Sequence, residues 1–220
     1  MAASHLVKIL TVLFALSCWI PLACATGPQT GEGVDYGFEG TSKRVVWVNG
    51  PWEKIEPSKD IDEVIDQLCP AVMDLPGARD GDYGREYCGV IYKLVSENQY
   101  YASKPSALIR PTVSHVSKRK TCLTPRVVKD PRGTLRLDGD YHGHPWPSSM
   151  SPEDRGHDRQ LYMFRIQFDT RCRVQKLIPH HLEGDDRPGE LYERQGKSWK
   201  LVGHILSEDK SAGNVTPIAH

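Results

Sequence analysis

This chain reads as a mixed α/β domain, and three observations say so. One stretch, residues 58–70, carries apolar residues at helical spacing; several short β-prone runs follow it; and at least two pairs of those runs are joined by turn residues of the kind that close hairpins. One domain of ordinary size is what about 195 residues, left after an N-terminal leader, can form around a single core.

The elements follow in order. Residues 26–44 are rich in glycine (Gly27, Gly31, Gly33, Gly37 and Gly40) and are expected to form a flexible lead-in. Residues 45–48 form a short strand stopped by Asn49-Gly50-Pro51. Ser58 is the expected cap of a helix whose Ile61, Val64, Ile65 and Leu68 share one face. Asp60, Asp62 and Glu63 suit its positive end, and Pro70 is expected to end it. Residues 88–95 read as a strand that turns at Ser96-Glu97-Asn98 into a second one at 100–103. From 104 to 132 the signals weaken. Residues 135–142 form a strand in which Asp138-Gly139-Asp140 announces a bend or bulge. Runs 161–168 and 172–178 flank Asp169-Thr170-Arg171, and runs 191–194 and 198–205 flank Gln195-Gly196-Lys197; these hairpins are expected to complete the sheet. The tail, 207–220, lacks periodicity and is expected to fray. The domain itself is thus placed at 45–206.

Composition narrows the function. Lys plus Arg and Asp plus Glu both number 28, a formal net charge of zero, so no nucleic-acid footprint is expected. The basic triplet Lys118-Arg119-Lys120 reads as a solvated face. Residues 1–25 read as a secretory signal peptide: Lys8 near the start, an apolar run over 9–22 broken by Pro21, and Ala23-Cys24-Ala25 as a cleavage site. The run is short for a spanning helix of about 20 residues, so no spanning segment is expected after its removal. Lipid attachment at Cys24 is a second reading. The expected location is secreted or periplasmic. Cys69, Cys88, Cys122 and Cys172 then allow up to two disulfides, in any of three pairings.

The chemistry concentrates in residues 141–154. His142 and His144 lie one residue apart, so on a strand both imidazoles project to one face. Pro145, Pro147, Ser148 and Ser149 make a loop, and Ser151-Pro152-Glu153-Asp154 starts a helix, which returns Asp154 toward the histidines. Two histidines and one carboxylate make a catalytic set of zinc ligands, since structural sites close all four positions. A plainer reading exists: Ser-x-x-Asp is also a capping box. A fourth residue favours the metal, because Glu86 puts a carboxylate at the mouth of an apolar run, and zinc-bound water needs a base.

In this order, the set resembles the JAMM/MPN (JAB1-type) zinc metalloproteases and isopeptidases, whose pattern is a glutamate in an E-x-x-G strand start, then H-x-H-P, then S-x-x-D. The matching residues are Glu86 with Gly89, then His142, His144 and Pro145, then Ser151 and Asp154. The resemblance spans roughly 58–205. It implies a JAB/MPN α/β fold, similar to that of cytidine deaminases, a mixed sheet with flanking helices. It implies His142, His144 and Asp154 as Zn2+ ligands, Glu86 as general acid/base, Ser151 as a hydroxyl holding the oxyanion, and hydrolysis of amide or isopeptide bonds in a protein or peptide. Two positions depart from the pattern: Gly143 stands where Ser or Thr is usual, and six residues rather than seven separate His144 from Ser151.

Two alternatives stay open beside an exported zinc hydrolase. One is a non-catalytic MPN-like binding or scaffold module. The other is an exported effector or toxin that uses the same chemistry. Nucleobase deamination is disfavoured, because H-x-E with P-C-x-x-C is absent. His180-His181 with Glu183, Asp185 and Asp186 reads as a polar loop rather than a second metal site. His157 and Asp158 follow the motif closely enough to line a cleft but read rather as exposed on a short helix, and His115 and His204 have no partner evident in sequence. Trp146 suits either a groove wall or ordinary packing. Ser148 and Ser149 show no nucleophile context.

Overall fold

The computed structural model describes residues 34–41, 43–109 and 121–218. The leader, Cys24, His115 and the 118–120 triplet lie outside them. In chain order the elements are β1 (Tyr36–Glu39), β2 (Val45–Asn49), α1 (Ile61–Met73), β3 (Tyr87–Leu94), β4 (Gln99–Ala102), β5 (Val127–Lys129), β6 (Leu135–Gly143), α2 (Pro152–Arg155), β7 (Phe164–Phe168), β8 (Val174–Ile178), β9 (Gly189–Gln195), β10 (Ser198–Ile205) and β11 (Thr216–Pro217). This is a mixed sheet with few helices: among the described residues α1 is the single helix longer than one turn.

Helix α1 forms because Val64, Ile65, Leu68, Cys69, Val72 and Met73 make one apolar face, all of it buried. Its cap is Asp60 rather than Ser58: the Asp60 carboxylate accepts the Asp62 N–H at 2.9 Å, while Ser58 Oγ accepts the Asp60 N–H one step earlier. Pro70 does not end the helix. It sits exposed inside it, and burial of Val72 and Met73 in the following turn offsets the hydrogen bond its ring removes.

Eight strands form the main sheet in the order β11-β10-β9-β8-β7-β6-β3-β4, and β1-β2-β5 form a smaller one. All pairs in the main sheet are antiparallel except β6 with β7. Helix α1 covers one face, packing on Tyr87, Ile91, Tyr141, Ile166 and Phe168. On the other face Val90, Tyr92, Leu94 and Tyr101 pack with Val128, Leu135, Leu137 and Tyr162. The expected bulge is present: the β3–β6 register jumps from Ile91↔Gly139 to Tyr92↔Leu137, which leaves Asp138 as the extra residue.

Two boundaries change. The lead-in contains β1, paired along its length with β2. Gly37 belongs there because a Cβ would meet the Trp47 indole at 2.9 Å, so part of the glycine content reflects close packing rather than flexibility. The tail contains a 3-10 turn at Ser207–Asp209 and then β11, whose Thr216 and Pro217 pair with His204 and Gly203. A two-residue strand leaves no periodicity to read. The disulfides pair Cys69 with Cys172 and Cys88 with Cys122, which closes the choice among three pairings and fits an oxidising compartment. No described helix is long and apolar enough to cross a membrane.

Gly89 and Tyr141 are register partners on the helix-covered face, and a Cβ at 89 would fall 2.2 Å from the Tyr141 ring, whose hydroxyl donates to the buried carbonyl of Ser103 at 2.8 Å. With the ring unable to withdraw, Gly89→Ala is expected to destabilise by about 1–3 kcal/mol. A urea unfolding midpoint checks it; an unchanged midpoint contradicts the packing described.

Candidate metal centre

The alternation of β6 decides which side chains meet. Tyr141 and Gly143 face α1, where a Cβ on Gly143 would meet Phe168, Met73 and Val72 at 2.9, 3.0 and 3.2 Å. Asp140 and His142 therefore face the other way, and His144 follows just past the strand end, its N–H on the Phe168 carbonyl at 2.9 Å. Both histidines are 4% exposed, with ring centroids 5.0 Å apart.

Asp154 reaches them because the chain must cross from the end of β6 to the start of β7. Parallel neighbours require such a crossover, and α2 lies on this one. Ser151 caps α2, accepting the Asp154 N–H at 3.1 Å, while Asp154 Oδ2 accepts from the Ser151 N–H at 3.3 Å and its hydroxyl at 2.6 Å. The capping box is present, and it brings the same Asp154 carboxylate beside the two histidines. Asp154 Oδ2 lies 3.7 Å from His142 Nε2 and 3.4 Å from His144 Nε2. The donor atoms of the three residues all fall within 4.8 Å of one another, the single such group among the described residues that could hold a metal ion.

Glu86 completes the cluster. It precedes β3, where Cys88 pairs with His142, so alternation puts Glu86 on the same face as the ligands. It is 9% exposed, and its Oε1 lies 3.9 Å from His144 Nε2. The turn that carries it is joined to the ligand loop by the Gly81 N–H on the Pro145 carbonyl at 3.0 Å. All five residues singled out from sequence therefore converge.

The electrostatics suit a cation. Burial holds the His142 imidazole below its ordinary pKa, more strongly than Asp154 raises it. Burial pushes the Asp154 carboxyl up, but its contacts with His142, His144 and Ser151 more than offset that, leaving it well below the usual carboxylate range. The His142 Nε2 atom is buried with no hydrogen-bond partner, an orphan that a metal ion would satisfy.

Three residues missed in sequence hold the site together. Arg165, 4% exposed, pairs with Asp140 Oδ2 at 2.8 Å and donates to the backbone carbonyls of Asp154 and Arg159 at 2.7 and 2.9 Å. Gln160 also donates to the Asp154 carbonyl, at 2.8 Å. Ser148 Oγ lies 2.6 Å from His144 Nδ1. A charged residue inside an apolar strand was the available signal for Arg165, the same signal that exposed Glu86. Asp138 pairs with Arg136 at 2.7 Å and Asp140 pairs with Arg165. His180 sits between Asp185 and Glu190 at 3.5 and 3.4 Å, and His157 lies beside His181. The Trp146 ring stacks against His144, centroids 5.9 Å apart.

Comparison with protein-family models, with curated proteins and with solved structures finds no match for this chain.

Because Arg165 is buried and ties Asp154 to the sheet, Asp140→Ala strands a cation and is expected to cost about 3–5 kcal/mol. Denaturant unfolding of the variant checks this, and a loss below 1 kcal/mol would contradict the buried pairing.

Proposed function

We propose that this protein is an exported zinc-dependent hydrolase of the JAMM/MPN type, cleaving an amide or isopeptide bond in a protein or peptide. The observation that carries the reading is the convergence of His142, His144 and Asp154 around an orphaned, buried His142 Nε2, with the carboxylate of Glu86 at the same face. Two imidazoles and one carboxylate make a three-ligand set, the donor number of catalytic rather than structural zinc.

His142, His144 and Asp154 would hold the ion, which when bound supplies a Lewis acid for the scissile carbonyl and a water acidified toward neutral pH. The chain's own residues do the rest. Glu86 takes a proton from the attacking water and returns it to the departing amine, and its burial keeps the carboxylate from being dispersed in solvent. The Ser151 hydroxyl, positioned by the α2 cap, is the candidate donor to the tetrahedral oxyanion. Trp146, stacked on His144, walls the substrate side of the ligand loop. Export is supported by the leader-like N-terminus and by the two disulfides.

A non-catalytic module of the same fold is the second reading, and one observation favours it: Ser151 both donates and accepts within the cap, leaving its hydroxyl already engaged.

Elemental analysis of the purified protein is expected to give about one zinc per chain, lost in His142→Ala and in Asp154→Ala. Glu86→Gln is expected to keep the zinc and lose about 10²–10⁴-fold in turnover. Freshly purified, folded protein with no zinc overturns the metal reading, and a fully active Glu86→Gln removes Glu86 from its role. Zinc with no hydrolysis of any peptide or isopeptide library supports the binding module.

A further inference from the structure

We propose that Ser148 is a positioning residue for the metal site, acting as the acceptor that lets His144 ligate through Nε2. The inference rests on the metal reading above. His144 presents Nε2 to Asp154 and Glu86, and its other ring nitrogen, Nδ1, lies 2.6 Å from Ser148 Oγ. When Nε2 gives its lone pair to a metal, the ring's proton resides on Nδ1. The His144 side chain is 6% exposed, so that N–H has little access to water and needs an acceptor inside the protein. Ser148 Oγ stands at that position.

The serine is itself held from three sides. Its N–H donates to Asp169 Oδ2 at 3.2 Å, its carbonyl accepts from Gln167 Nε2 at 3.3 Å, and the Met150 N–H two residues on donates to Gln175 Oε1 at 2.6 Å. Asp169 and Gln167 are fully buried. Asp169 is fixed in turn: its carboxylate takes the N–H groups of Arg171 and Arg173, its carbonyl accepts the Cys172 N–H, and the disulfide from Cys172 to Cys69 ties that turn to α1. These contacts hold the Ser148 backbone. Among the described residues the hydroxyl's hydrogen-bond partner is His144.

The test is zinc affinity of the full chain, measured by competition with a chromophoric chelator, for wild type, Ser148→Ala and Ser148→Thr. Ser148→Ala is expected to bind zinc about 10–100-fold more weakly, the usual effect of losing the partner of a ligating imidazole, and Ser148→Thr to restore most of it. In zinc-loaded wild type and Ser148→Thr, the His144 Nδ1–H proton is expected to be visible by NMR and slow to exchange, and to be lost in Ser148→Ala. If Ser148→Ala binds zinc as tightly as wild type, the inference fails while the metal site stands, and a lowered melting temperature of the metal-free variant with unchanged affinity has the same meaning. If wild type takes up no zinc, the metal reading falls and this inference with it.

Discussion

The parallel pairing of β6 with β7 is the constraint on which the rest of the site depends. An antiparallel neighbour could have followed β6 through a tight hairpin, and the residues after His144 would then have run off the end of the sheet. A parallel neighbour obliges the chain to return along the sheet before β7 can begin. That return carries Pro145, Ser148 and the α2 cap across the face from which His142 projects. Asp154 meets the histidines as a consequence of topology, and the cap at Ser151 sets its rotation once it arrives.

Burial makes this arrangement demanding. The same face of β6 and β7 carries Asp140, His142, Arg165 and Gln167, all less than a tenth exposed, so each polar group has to find a partner inside the protein. Register supplies them in part: Asp140 stands opposite Arg165, and their side chains meet in a buried ion pair that also reaches the Asp154 carbonyl. Two side-chain atoms of this layer are left without a hydrogen bond, Gln167 Oε1 and His142 Nε2, and the latter lies 3.7 Å from the Asp154 carboxylate.

Two features of residues 143–151 have local explanations. Glycine at 143 is imposed by the opposite face, where Phe168, Met73 and Val72 occupy the space a side chain would need. The six-residue spacer between His144 and Ser151 makes a short loop, and its fourth residue, Ser148, places Oγ 2.6 Å from His144 Nδ1 while its backbone is held by Asp169 and Gln167. This loop is fastened at several points to buried groups.

Local pattern determined a good deal by itself. The apolar face of α1, the alternation of β6, the hairpin turns, the bulge at Asp138 and the return of Asp154 toward His142 and His144 could be read from spacing and residue type, because each depends on neighbours within a short stretch of chain, whereas Glu86 joined them on residue type and a resemblance. Tertiary structure decided what depends on distant partners. Pro70 stays within α1 because buried Val72 and Met73 follow it; Gly37 is part of a strand because Trp47 lies over it; and the choice among three disulfide pairings was made by which elements the sheet brought together. Arg165 escaped notice, and Ser148 reads in sequence only as a loop residue without nucleophile context, for the same reason. Their partners, Asp140 and His144, acquire meaning only once β6 and β7 lie side by side and the crossover folds back. Sequence spacing carries the period of a helix or strand, while which buried polar groups must satisfy one another is set by the packing of chain segments far apart in sequence.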